Sequence, residues 1–241
     1  MSNNYIGLDG CRAGWIAAVI SKKHGQIQLF STIEDACMLN QHWERMLIDI
    51  PIGLAGNKKE AAMRPEPAAR KVLGKRASCI FNAPCKQAVY AKDYNEANEI
   101  NKMVLQKGIS KQSYYISNKI READIFLHSF PEYKGRLLES HPEICFAMLN
   151  KDRQPIMESK KTIVGSEKRI QLLSSYYSRT AEIIGKVKQD KQLSAYLEDV
   201  IDALALAVTN YLMGNNGFSS LPVKPAHNQD GLRMQMVYAE V

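Results

Sequence analysis

Four acidic positions interrupt runs that are otherwise apolar, and an ionised carboxylate is costly there unless it is paired or coordinated. Asp9 closes Ile6-Gly7-Leu8, Asp49 is the only charge from Met46 to Leu54, Glu139 follows Leu137-Leu138, and Asp202 is the only charge from Val200 to Met213. Asp199 stands three residues before Asp202, so on a helix both carboxylates project from nearly one face, in line with Leu206 and Thr209. Taken singly each acid has an ordinary explanation, a turn cap or a partner for a buried Arg. Together they form a pattern, because strand ends and one helix face can converge in a layered fold. Converging carboxylates repel and raise one another's pKa unless a hard divalent cation neutralises them, so the pattern implies Mg²⁺ or Mn²⁺. Two such cations about 4 Å apart would bracket an in-line attack on a phosphodiester, with no Cys or His nucleophile required. No Gly-x-Ser-x-Gly elbow occurs. His141, between Glu139 and Glu143, is the one histidine embedded in an acidic segment, and a proton carrier and a ring packed beside Pro142 are equal readings of it.

The elements that must carry these residues follow from periodicity. Tyr5 to Leu8, Trp15 to Ile20 and Ile27 to Phe30 read as three short strands joined by tight turns, an antiparallel meander. Thr32, followed by Glu34 and Asp35, starts a helix expected to run to about Arg45. Met46 to Ile50 is a buried strand stopped by Pro51 and Gly53. From residue 57 to 132 strand signals fade into polar helical sequence, with Asn95 to Lys107 and Asn118 to Ser129 the clearest helices, so this stretch reads as a helical insertion, or cap, in a single domain spanning 1–241. Arg136 to Ser140 returns to strand character, and Ile144 to Leu149 begins a helix. Glu167 to Lys186 and Leu193 to Met213 are further helices, and Leu232 to Val241 reads as a last edge strand. The expected class is α/β, a mixed sheet combining the antiparallel meander with parallel strands and flanked by helices.

With 241 residues, 45% of them hydrophobic, the chain can bury a sizeable core. The longest nearly uncharged run, Val200 to Met213, is too short for a bilayer span, which argues against a membrane partner. The start of the sequence lacks the basic and apolar regions of a signal peptide, so the expected compartment is the cytoplasm. Cys11, Cys37, Cys79, Cys85 and Cys145 are odd in number and scattered, which suggests neither a zinc knuckle nor a disulfide framework. The formal charge of +7 favours polyanionic partners, and it is concentrated: between Asn57 and Lys92 nine basic residues face only Glu60 and Glu66. A solvated helical face is an equal reading of that run.

At these residues the chain resembles a bacterial and archaeal family, domain-of-unknown-function family 429, whose members are described as predicted RNase H-like nucleases. The resemblance runs nearly end to end. Gly7-Leu-Asp9-Gly-Cys-Arg12-Ala-Gly14-Trp15 resembles its opening motif and Ile48-Asp49-Ile-Pro51-Ile-Gly53 its second. Ala69-Arg70, Leu73-Gly74-Lys-Arg76-Ala-Ser78 and Phe81-x-x-Pro84 resemble its third. Glu139-Ser-His141-Pro142-Glu143, Lys160-Lys161-Thr162-x-x-Gly165-x-x-x-Arg169 and Glu198-Asp199-Val-Ile-Asp202-Ala203 follow it in order. The resemblance implies an RNase H-like core in which Asp9, Asp49, Asp199 and Asp202 meet at the metals, with Glu139 or Glu143 as a further ligand. A nuclease acting on DNA or RNA is the hypothesis that such a core and its acids suggest; the resemblance itself gives no proven substrate. On that reading Arg12, Arg70, Arg76, Lys160, Lys161 and Arg169 are candidates for phosphate contacts. Gln112, Tyr114 and Tyr115 are candidates for stacking on unpaired bases, with core packing the more ordinary role for the tyrosines.

Two other functions remain to be weighed against a metal-dependent nuclease. An ATP-dependent phosphotransferase of the actin or sugar-kinase type shares an Asp-x-Gly opening, but no second Asp-x-Gly or Gly-rich phosphate loop follows Leu54. An inactive nucleic-acid-binding protein would keep the acids for structural reasons. In the metal-free chain, Asp202→Asn is expected to relieve carboxylate repulsion and so to stabilise the fold. The sequence leaves the oligomeric state open, a homodimer included.

Overall fold

The computed structural model describes residues 4–39 and 43–241. The chain begins with β1 (Asn4–Cys11), β2 (Gly14–Ile20) and β3 (Gly25–Phe30), then α1 (Ile33–Leu39) and β4 (Trp43–Ile48). Helices α2 (Lys58–Ala62), α3 (Glu66–Leu73), α4 (Lys86–Val89), α5 (Tyr94–Leu105), α6 (Lys111–Tyr115) and α7 (Ser117–Ser129) follow. After these come β5 (Leu137–Glu139), α8 (Pro142–Leu149), α9 (Ile163–Tyr176), α10 (Thr180–Gln189), α11 (Leu197–Asn216), β6 (Phe218–His227) and β7 (Arg233–Ala239). No helix among the described residues is long and apolar enough to cross a membrane.

The fold is α/β. Its main sheet has the order β3-β2-β1-β4-β5, with β1, β2 and β3 antiparallel and β4 and β5 parallel to β1, so the sheet is mixed as the periodicity predicts. Strand alternation assigns its two faces. Gly7, Ala18 and Leu47 share a register row, and Ala18 and Leu47 pack in one core with Leu138 and the apolar residues of α11. The alternate row, with Ile6 and Met46, faces the other way, where Cys37 of α1 touches Met46. The sheet therefore has α11 on one face and α1 on the other. Gly7 permits the closest approach: a Cβ there would stand 2.2 Å from the Ala203 carbonyl oxygen and 2.4 Å from the Ala207 nitrogen. Asn210 fastens the same helix to the sheet, its Nδ2 donating to the carbonyls of Ile6 (3.1 Å) and Arg45 (2.9 Å).

Several boundaries differ from the sequence expectation, each for a tertiary reason. The helix after Thr32 ends at Leu39, and Trp43 to Arg45 are strand, because β4 begins early enough to pair Trp43 with Asn4. The intervening part of the expected helix, 40–42, lies outside the described residues. The helix expected from Glu167 to Lys186 breaks into α9 and α10 at Tyr177, whose extended backbone lets its hydroxyl donate to the carbonyls of Ser21 and His24. The last strand is not an edge of the main sheet. β7 pairs with β6, a strand hidden in the sequence by Pro222, Lys224 and Pro225, which break its alternation.

The chain forms two compact units: 1–49, 136–219 and 237–241 make the first, and 50–135 with 220–236 the second. The first holds the main sheet, α1 and α8 to α11. The second contains the stretch read as a helical insertion and also residues 220–236, which the sequence did not associate with it. Its helices enclose a small core of Cys85, Ala88, Ala91, Ala97 and Leu105. Its polar anchor is the buried pair Arg64 and Glu66, where Arg64 Nη1 also donates to the carbonyls of Ile52 (2.5 Å) and Gly53 (3.2 Å).

Candidate acid pocket

The register of β1 and β4 creates the site. Gly7 pairs with Leu47 and Leu8 with Ile48, so the next residue on each strand is an aspartate, and the Asp49 amide donates to the Leu8 carbonyl at 3.1 Å. Asp9 and Asp49 lie two residues beyond Gly7 and Leu47 and point to the same face, toward α11. Asp202 lies on α11 one residue before Ala203, whose carbonyl presses on Gly7. The missing side chain at Gly7 thus lets a helix carboxylate descend onto two strand-end carboxylates.

The electrostatics record that convergence. Burial raises the Asp9 carboxyl well above the ordinary aspartate range, the negative charges of Asp49, Asp202 and Asp199 raise it further, and Lys160 opposes them. Asp49 is raised by burial and by Glu143, against His141 and Lys160. Asp202 is raised to about 6, chiefly by burial with Asp49 and Glu143 adding, while Lys160 holds it back. Asp199 is also raised by burial, though it lies nearer the surface.

Lys160 reaches into this cluster from close range. Its Nζ donates to Asp202 Oδ2 in a tight ion pair, and Asp202, with Asp9 and Asp49, holds the ammonium's pKa above the ordinary lysine value despite its partial burial. The backbone that places it is built deliberately. Thr162 caps α9 by accepting from the Gly165 amide at 3.1 Å, and a Cβ on Gly165 would stand 2.0 Å from the Ser159 carbonyl. Fully buried Arg169 completes the arrangement, donating to the carbonyls of Glu158 (3.0 Å) and Gly165 (2.9 Å) and to Glu143 Oε1 (2.6 Å).

The other sequence candidates fall in different places. Glu143 is turned into the buried pair with Arg169 on the first turn of α8. His141 caps α8, its Nδ1 accepting from the Glu143 amide, which leaves the proton of a neutral ring on Nε2. Glu139 is buried, but the pleat places it in a row with Ile48 and Met46, on the α1 face of the sheet, and it is not among the charges acting most strongly on Asp9, Asp49 or Asp202. Arg12 and Lys161 are exposed on the first unit. Arg169 is withdrawn from solvent entirely, so it positions Lys160 and α8 and is not placed to meet a phosphate. Arg70 and Arg76 belong to the second unit, as do Gln112 and the exposed Tyr115; Tyr114 packs edge-on against Tyr94. Sequence reasoning missed the role of Lys160 as counter-ion to Asp202, for which Lys160-Lys161 beside Thr162 gave no more signal than any exposed basic pair.

The donor set suits a hard divalent cation in type and in charge: carboxylate oxygens only, buried and mutually repelling. In spacing the set does not close: among the described residues no three His, Cys, Asp or Glu side chains stand close enough together to hold one ion. None of the five cysteines is in a disulfide, and Cys37 and Cys145 are buried thiols raised to about 12 and about 11 by burial.

A sequence profile described as "Protein of unknown function (DUF429)" matches residues 7–227. No curated protein and no solved structure matches the chain.

Proposed function

This chain belongs to the DUF429 family of proteins of unknown function, and we propose that its acid pocket is the centre of a divalent-metal-dependent nuclease with an RNase H-like core. The observation that carries the reading is that Asp9, Asp49 and Asp202, with Asp199 beside them, are acids whose carboxyls are all raised, chiefly by burial, and that Asp49, Asp202 and Asp199 add to the rise at Asp9. Holding a cation, Mg²⁺ or Mn²⁺, would require Asp9, Asp49 and Asp202 to draw closer together than they stand here, with Asp199 at the outer edge. The cation would supply Lewis-acid polarisation of the scissile phosphate and an activated water. Lys160, charged throughout the physiological range, neutralises Asp202 and offers a salt-sensitive contact to a phosphate, with exposed Lys161 next to it. His141, whose Nδ1 accepts from the Glu143 amide, would have its Nε2–H left to donate to a group in the pocket.

The test is cleavage of single-stranded and duplex DNA and RNA in Mn²⁺, with protein purified clean of host nucleases. Asp9→Asn is expected to lower the rate about 10³-fold, the loss of several kcal/mol of transition-state stabilisation. Cleavage persisting in that variant would refute the assignment. The ion pair of Lys160 with Asp202 favours one other reading, a pocket whose charge is already balanced and which serves structure in an inactive nucleic-acid-binding protein. That reading requires that Mn²⁺ leave the melting temperature unchanged, whereas a cation site raises it.

A further inference from the structure

The second unit encloses a cavity of about 480 Å³, within the range of roughly 300–1,000 Å³ common to small-molecule sites. Its lining is unbalanced in charge. Lys58, Arg64, Arg70 and Lys107 line it against a single acid, Glu66, and Glu66 is already engaged by buried Arg64 through bonds of 3.1 and 2.9 Å to Oε1. Three cationic side chains therefore remain without an opposing carboxylate in the wall. One of them is fixed in place. Arg70 donates from Nε (3.1 Å) and Nη2 (2.9 Å) to the Ile80 carbonyl and from Nη2 to Asn82 Oδ1 (2.8 Å), which immobilises the guanidinium and leaves Nη1 with no intramolecular partner among the described residues. The adjoining wall is apolar and carries Phe81, an aromatic ring 45% exposed to solvent.

We propose that this cavity binds a nucleoside monophosphate unit, free or at the end of a strand, with Arg70, Lys58 and Lys107 taking the phosphate and Phe81 stacking on the base. A preset guanidinium suits phosphate in planarity and charge, and base stacking on an aromatic side chain is tolerant of base identity. Two members of the basic run between Asn57 and Lys92, Lys58 and Arg70, enter this wall without an opposing carboxylate, Lys58 Nζ donating to Gln106 Oε1 (2.5 Å). The proposal goes beyond the nuclease reading and does not depend on it.

Calorimetric titration of the full chain in EDTA, with adenosine 5′-monophosphate and separately with a 5′-phosphorylated single-stranded oligoadenylate, tests it. Saturable binding is expected in at least one arm, weakened about tenfold or more by Arg70→Gln and by Phe81→Ala. The stronger arm tells whether the site takes the free nucleotide or a strand end, and adenosine or inorganic phosphate alone should bind more weakly than the nucleotide. Should Arg70→Gln lower the melting temperature, the surface variants Phe81→Ala and Lys107→Gln decide the matter. Absence of binding in both arms, or binding that neither Phe81→Ala nor Lys107→Gln weakens, overturns the proposal. Asp9→Asn should bind as the parent chain does while losing Mn²⁺-dependent cleavage, so the two readings fail separately.

Discussion

Asp9 stands in the least favourable position of any acid in the pocket, since Asp49, Asp202 and Asp199 all press on it while the nearest ammonium is committed to Asp202. The relief expected from removing one negative charge therefore belongs to Asp9→Asn rather than to Asp202→Asn, which would leave Lys160 without its partner. In EDTA at neutral pH, Asp9→Asn should stabilise the metal-free chain by about 1–3 kcal/mol in a denaturant titration. The pH dependence follows from the same raised carboxyls. Asp202, raised to about 6, keeps a proton that the unfolded chain has released above its ordinary value, so the native state binds more protons and stability falls as pH rises from about 4 through about 6. Asp9 and Asp49 act in the same direction. The advantage of Asp9→Asn over the parent chain should accordingly be larger at pH 7.5 than at pH 5, and an advantage independent of pH would show that the repulsion is absent. At this scale the sequence was readable where charge broke an apolar run, as at Asp9, Asp49 and Asp202. It was not readable at Glu139, whose direction depends on the register of a three-residue strand, nor at Lys160, whose partner lies 42 positions along the chain.

The elements hold the pocket through two close approaches. Gly7 admits α11 to the sheet, and Gly7→Ala must push the helix away from β1, since its Cβ would overlap the Ala203 backbone. A loss of at least about 1–3 kcal/mol is expected, with weakened Mn²⁺ affinity, and an unchanged urea midpoint would show that the helix does not lie there. Arg169 ties α9 to α8 and to the segment bearing Lys160. Arg169→Leu removes the buried ion pair with Glu143 and the bonds to the Glu158 and Gly165 carbonyls and should cost about 3–5 kcal/mol in the same measurement, far more than Lys161→Leu on the exposed surface. The meander and the parallel β4 were legible because period-two apolar runs survive between turn residues. The break between α9 and α10 was not, because it is set by hydrogen bonds from Tyr177 to a turn more than 150 residues earlier. β6 was masked by its own prolines.

For the molecule as a whole, the proposed function requires that the net charge of +7 give basic surface able to hold a polyanion while the acids act through a cation. Affinity for single-stranded oligonucleotide should fall about tenfold or more between roughly 50 and 200 mM salt, and salt-independent binding would remove the electrostatic part of the account. The residues singled out in the sequence divide by role: Gly7, Gly165 and Arg169 shape the backbone, and Asp9, Asp49 and Asp202 carry the charge. Their order along the chain could be read in advance, whereas their division of labour required coordinates. The most direct test of the central claim is a crystal soaked in Mn²⁺ and measured for anomalous scattering. A peak coordinated by Asp9, Asp49 and Asp202, with Lys160 moved off Asp202, is the predicted result; an empty pocket with Lys160 still bound to Asp202 would contradict it.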